Sequence, residues 1–173
     1  MVYSIKDVAA ALQRVPKVGV AFLLSQVGTY AAYAFEERLS AMDLKPHHAG
    51  LLRMLGANPG LTQQALCDVF GVFPSRLVLL LDELEKRRLI ERRENPSDRR
   101  SYRLHLTNAG RKSLAGIGRV TRDLEKDLFA SLNAAERETL AGLLTRIVAQ
   151  QNITPAVHPA YRRRQEITKP QKT

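Results

Sequence analysis

The chain has 173 residues, 45% hydrophobic and 25% charged, an ordinary globular composition that excludes a disordered, fibrous or low-complexity protein. A single cysteine excludes a disulfide framework and fits a reducing compartment, so a cytoplasmic location is expected. Lys+Arg 27 against Asp+Glu 17 leaves a net +10, which favours an anionic partner without choosing among nucleic acid, anionic lipid and acidic protein.

Met1-Val2-Tyr3-Ser4-Ile5-Lys6-Asp7 lacks a basic stretch followed directly by an apolar one, so no signal peptide is expected. Residues 1–17 read as a short amphipathic lead, with Val8, Ala9, Leu12 and Val15 at helical spacing, ending near Pro16. A long helix is predicted over 18–42. Its first 18 residues, 18–35, carry no charge. Ser25, Gln26, Thr29, Gly19 and Gly28 dilute their hydrophobicity, so they read as a core or dimer-interface helix and not as a membrane span.

Asp43-Leu44-Lys45-Pro46 ends that helix, because the residue before a proline is pushed out of the helical region. Residues 47–57 carry Leu51, Leu52 and Leu55 on one face, and Asn58-Pro59-Gly60 terminates them. Thr62 is a good cap for a short helix to Phe70, closed by Gly71. The next helix starts at Pro74 or Ser75 and runs to Arg88, with Leu77, Leu80, Leu81 and Leu84 as its buried stripe.

The period then changes. Residues 89–93 and 102–106 read as two strands, the second alternating Tyr102, Leu104 and Leu106 with polar residues, around a polar, proline-bearing turn at 94–101. Thr107 caps a long helix to about Ala130, and Asn133-Ala134-Ala135-Glu136 has the spacing of a capping box. The last helix carries Leu140, Leu143, Leu144 and Ile147, and 153–173 is a polar tail with Arg162-Arg163-Arg164. The fold class is mostly α with a small β-hairpin wing.

The order helix, short helix, tight turn, helix, basic hairpin is that of a winged helix-turn-helix. A helix fits the major groove of double-stranded DNA, and a hairpin beside it reaches the minor groove with arginine. From Lys86 to His105 the eight cations Lys86, Arg87, Arg88, Arg92, Arg93, Arg99, Arg100 and Arg103 face only Glu91, Glu94 and Asp98. Arg87, Arg88, Arg92 and Arg93 serve equally well to solvate a helix end and a strand. Arg99 and Arg100 at the tip have no core to cover. The wing candidates are therefore Arg92, Arg93, Asp98, Arg99, Arg100 and Arg103.

Leu61-Thr62-Gln63-Gln64-Ala65-Leu66-Cys67-Asp68-Val69-Phe70-Gly71-Val72 resembles the helix-turn start of MarR-family transcription regulators. Leu80-Leu81-Asp82-Glu83-Leu84-Glu85, the glycine-less Arg88-Leu89-Ile90-Glu91-Arg92 and Asp98-Arg99-Arg100 continue the likeness. So does Leu104-His105-Leu106-Thr107-Asn108-Ala109-Gly110. Together these motifs cover roughly residues 44–114.

The resemblance implies a single intertwined domain. Residues 1–43 and 108–152 would supply the dimerisation helices, 44–107 the winged helix-turn-helix, and 153–173 a basic tail. It also implies a homodimer on a pseudo-palindromic operator, whose half-sites mirror the two-fold axis. By the same resemblance Asp98 shapes the hairpin by pairing with a basic neighbour, and either Arg99 or Arg100 enters the minor groove.

The recognition helix departs from the family pattern, which favours polar or basic residues on the exposed face. It opens with Phe73-Pro74-Ser75-Arg76, where Ser75 and Arg76 suit phosphate and base contacts. Val78 and Leu79 fit either thymine methyls or packing against a neighbouring helix.

Family resemblance further implies relief of repression by a small aromatic acid or an acyl-coenzyme A type effector. Candidate lining residues are Phe22, Gln26, Tyr30, Tyr33, His47, His48 and Arg53. The alternative for the aromatics is dimer-core packing. Cys67 is either a thiol sensor or a small buried hydrophobe. His47 and His48 are adjacent, not one turn apart, so no metal site is expected from spacing. No cofactor is implied, and no phosphate loop or nucleophile–base motif points to an enzyme. The leading expectation is a ligand-relieved repressor. A weakly specific architectural DNA-binding protein is the alternative.

Overall fold

The computed structural model describes residues 18–98 and 100–153. The predicted lead at 1–17, Arg99 and the tail from 154 onward, with Arg162-Arg163-Arg164, lie outside the described residues. The elements in chain order are α1 (Val20–Ser40), α2 (Pro46–Ala57), β1 (Leu61–Thr62), α3 (Gln63–Phe70), α4 (Pro74–Lys86), β2 (Ile90–Glu94), β3 (Tyr102–Leu106), α5 (Asn108–Leu128) and α6 (Ala134–Gln150). The chain divides into two compact units with the boundary between Ala34 and Phe35. In the first, the leading part of α1 leaves Val20, Phe22, Leu23, Leu24, Val27, Tyr30 and Tyr33 exposed.

In the second unit several helix boundaries have a local cause. Asp43 turns the chain at φ 53°, Lys45 is extended, and Pro46 opens α2 where its missing N–H costs nothing. The Thr62 hydroxyl accepts from the Ala65 N–H at 3.2 Å and so caps α3. Gly71 ends α3 in the left-handed region, φ 61°, ψ 37°. The chain then re-enters a helix at Pro74, and α3 and α4 meet at 117°. That angle is the helix-turn-helix geometry.

Arg88 ends the last turn of α4 at φ 55°, and the Leu89 N–H donates to the Leu84 carbonyl at 2.9 Å. Asn133 and Glu136 cap α6 reciprocally, each side chain accepting from the other's backbone N–H.

The sheet has three strands in the order β1-β3-β2, all antiparallel. The hairpin was expected to have two. Leu61 pairs with Leu104 and Thr62 with Arg103, so the start of α3 hangs from the wing's inner strand. The β2 strand begins one residue later than predicted, and Tyr102, expected in the half-buried alternation, is exposed while Leu104 and Leu106 are buried. The core lies behind α4. Leu39 and Leu44, then Leu51, Leu52 and Leu55 of α2, Leu66 and Phe70 of α3, Leu77, Leu81 and Leu84 of α4, Ile90, Leu104, Leu106 and Ile117 form one buried cluster. By contrast, α6 has no buried residue among those described, and Leu143 and Ile147 stand exposed.

The segment between α4 and β2 meets the start of α5 in a close backbone crossing. The Thr107 hydroxyl donates to the Arg88 carbonyl at 2.6 Å while accepting from the Gly110 N–H at 3.0 Å. A Cβ at Gly110 would overlap the carbonyl oxygen of Leu89. Gly110→Ala is therefore expected to lower the unfolding free energy by about 1–3 kcal/mol, the usual cost of forced overpacking. Urea titration followed by circular dichroism measures it. An unchanged midpoint would show that the crossing relaxes freely.

Candidate nucleic-acid interface

The leucine stripe fixes which side of α4 faces outward. With Leu77, Leu81 and Leu84 buried, Pro74, Ser75, Arg76, Leu79, Asp82, Glu83 and Lys86 are exposed. Phe73, the residue before Pro74, is exposed as well. Val78, grouped with Leu79 on sequence grounds, is half-buried, so the two part company. The Arg76 guanidinium has no hydrogen-bond or ion-pair partner among the described residues.

Wing cations divide into engaged and unengaged groups. Arg92 of β2 reaches back to α4, meeting the Asp82 carboxylate at 2.5 Å and also bonding Glu85, and its side chain is only 22% exposed. Arg93 pairs with Glu91 at 2.5 Å, relieving its cross-strand juxtaposition with Arg103. The Arg103 Nε donates to Asn95 Oδ1 at 3.0 Å. Arg87 lies 3.2 Å from Asp43 and donates to the Met42 carbonyl. Lys86, Arg88 and Arg100 are exposed with no such partner among the described residues.

The tip is organised by Asn95 as much as by Asp98. Buried Asn95 donates to the Ser101 hydroxyl at 2.8 Å, and its Oδ1 accepts from the Ser97 N–H and from Arg103. Asp98 Oδ1 accepts from the backbone N–H of Arg100 at 3.0 Å, and the Ser101 N–H donates to its carbonyl. Among the described residues Asp98 thus shapes the turn through backbone amides; its basic neighbour Arg99 lies outside them. Asn95 was missed, although Asn-Pro before a polar turn is a recognised signature of side-chain-to-backbone bonding. A cleft of about 440 Å³ separates this tip from the start of α3 and is lined by Thr62, Gln63, Gln64, Arg100 and Tyr102.

The candidate effector residues fall in both units. Phe22, Gln26, Tyr30 and Tyr33 are exposed on α1; Arg53 is exposed on α2. His48 is buried at the start of α2, and its Nδ1 accepts from the Lys45 N–H at 3.2 Å. Its Nε2 faces Glu83 of α4 at 3.2 Å, and His47 stacks edge-on against it.

His47, His48 and Glu83 bring three ligand-type atoms within 4.8 Å of one another, a juxtaposition that sequence spacing did not reveal. The hydrogen bonding argues for a proton there in place of a metal ion. A neutral ring whose Nδ1 accepts must carry its hydrogen on Nε2, the atom a metal would need. Burial brings His47 down to about 4, helped by the charges of His48 and Lys45, and burial lowers His48 as well. Cys67 is a core residue whose thiol is pushed up by burial and by Asp68, so thiolate is scarce.

No single helix among the described residues is long and apolar enough to cross a membrane. An exposed recognition helix, set at a steep angle to α3 and flanked by a three-stranded wing, defines a winged helix-turn-helix protein. Residues 42–101 match the family model described as MarR family. The chain is 42% identical over 107 residues to a putative transcriptional regulatory protein for the hcr operon of Thauera aromatica, spanning 62% of this chain and 64% of that protein.

Among solved structures, the transcriptional repressor CouR bound to a 23-mer DNA duplex is 30% identical, with TM-score 0.67 over 75% of this chain and 92% of that one. A mutant MarR from E. coli complexed with operator DNA is 26% identical, with TM-score 0.65 over 75% of this chain and 93% of that one. The chain belongs to the MarR family, a family of transcriptional regulators and not of enzymes.

Two outcomes test this geometry. In a double-mutant cycle of Arg92→Ala against Asp82→Ala, read by urea midpoints, a coupling of about 0.5–3 kcal/mol is expected, weakening in high salt. Additive effects would mean that the clamp is not formed. The second is acid sensitivity. Below the ordinary histidine value of 6.5 the unfolded chain takes up protons that folded His47 refuses until about pH 4. Stability is therefore expected to fall as pH drops through that window. His47→Gln should flatten the decline; an identical slope would remove His47 as its source.

Proposed function

We propose that this chain is a sequence-specific, DNA-binding transcription regulator that acts as a homodimer on a pseudo-palindromic operator, most simply as a repressor. The observation that carries the reading is the outward face of α4, held beside a wing whose Arg100 is uncommitted. A helix so exposed fits the major groove, and a planar cation at the hairpin tip fits the narrow, negative minor groove. The relatives solved on DNA support the same use of this fold.

Dimerisation is part of the proposal. The uncovered apolar residues on the leading part of α1 and on α6 are surfaces that a second copy would bury. Repression then follows sterically, through occupation of a promoter by two recognition helices about one helical turn apart. Relief by a small aromatic acid or acyl-coenzyme A thioester belongs to the same proposal. Such ligands need apolar walls and a polar anchor, and the exposed aromatics of α1 are surfaces of the first kind.

The test is a salt titration on two duplexes, the chain's own promoter fragment and a random sequence of equal length. A regulator is expected to prefer the promoter by ~10³ or more. Equal affinities would assign the chain to architectural, weakly specific binding. Arg99→Ala combined with Arg100→Ala should weaken promoter binding and reduce the salt slope by about one to two per wing, leaving the sedimenting dimer intact. A double variant that binds like the parent would exclude the wing from the interface.

A further inference from the structure

We infer that Leu79 reads thymine: its side chain meets the C5 methyl of thymine in the major groove and selects T·A pairs at one or two positions in each half-site. The inference rests on the DNA-binding reading above and deepens it by naming a base. Leu79 lies in the middle of α4 and is 70% exposed. At about 100° per residue it stands roughly opposite the buried Leu77, Leu81 and Leu84, on the outermost line of the helix. Ser75 and Lys86 share that line one turn before and two turns after it, and both are exposed.

The carboxylates that would repel a polyanion are turned aside. Asp82 is bound to Arg92 on the wing flank, and Glu83 faces His48 on the α2 flank. The apex of the recognition helix is therefore an aliphatic side chain framed by Arg76 and Lys86. That pattern suits a surface with phosphates on either side and something apolar between them. In the major groove the base edges display donors, acceptors and a single kind of apolar group, the thymine methyl. A leucine cannot exchange hydrogen bonds with the other base edges, so its favourable partner there is that methyl. The flanking cations argue against an apolar protein surface as the occupant. Half-buried Val78 lacks this position, so the role falls to Leu79.

The experiment uses the full chain and duplexes that it enriches from a randomised pool. Thymines in an enriched duplex are replaced one at a time by deoxyuridine, which removes the methyl and nothing else. Wild-type affinity is expected to fall about fourfold, the worth of one buried methyl-sized group, at one or two thymines per half-site and nowhere else. Leu79→Ala should bind dT and dU duplexes alike at those positions, with an unchanged salt slope and an unchanged Tm. Indifference of the wild type to every replacement overturns the inference, as does an undiminished dU penalty in Leu79→Ala. Either result leaves DNA binding itself standing. A pool that yields no preferred sequence overturns both, because it removes the specific binding on which the inference rests.

Discussion

Burial of the Leu77, Leu81 and Leu84 stripe is the constraint on which the rest depends. Fully burying a leucine is worth about 1.5–3 kcal/mol, so the three together set the rotation of α4 about its axis against any weaker polar preference. Once that rotation is set, the remaining positions have assigned directions. Asp82 and Glu85 turn to the wing, Glu83 to α2, and Ser75, Leu79 and Lys86 outward. The flanking polar contacts then act as lateral stops and not as the main source of stability. Arg92 stops α4 from one flank, and the His48–Glu83 contact stops it from the other.

Charge is distributed with the same economy. The segment from Lys86 to His105 holds a large part of the chain's positive excess, yet Arg87, Arg92, Arg93 and Arg103 are engaged within the fold. Those arginines rigidify the wing and its attachment. Lys86, Arg88 and Arg100 remain open to a polyanion. A net count of charge therefore overstates how many cations are available for phosphates.

Elements set by neighbours in the chain were legible in the sequence. The Thr62 and Thr107 caps, the Gly71 stop and the Asn133–Glu136 box depend on residues a few positions apart, and the structure has them as read. Asn95, whose partners Ser97, Ser101 and Arg103 are close in the chain, was missed all the same; the other misses depend on distant partners. Leu61 and Thr62 are too few to show a strand period, and only pairing with Leu104 and Arg103 makes them a strand. Arg92 looks like a wing cation until Asp82 and Glu85 come round beside it. His47 and His48 lack metal-ligand spacing between themselves, and Glu83 joins them only through the packing of α2 on α4. The helix and hairpin that carry the candidate residues were therefore legible, while the division of the wing arginines between those engaged within the fold and those left open was not.

Arg88 places two competing demands on one position. A side-chain-bearing residue at φ 55° sits in a region disfavoured by about 1–2 kcal/mol, where glycine would rest without strain. Arginine there keeps a positive group just past the electronegative pole of α4. Drift at this position toward glycine or asparagine would ease the chain reversal into β2 and remove that group at the same time. Thermal hardiness and local cationic character are consequently in opposition at a single codon, and no one side chain maximises both.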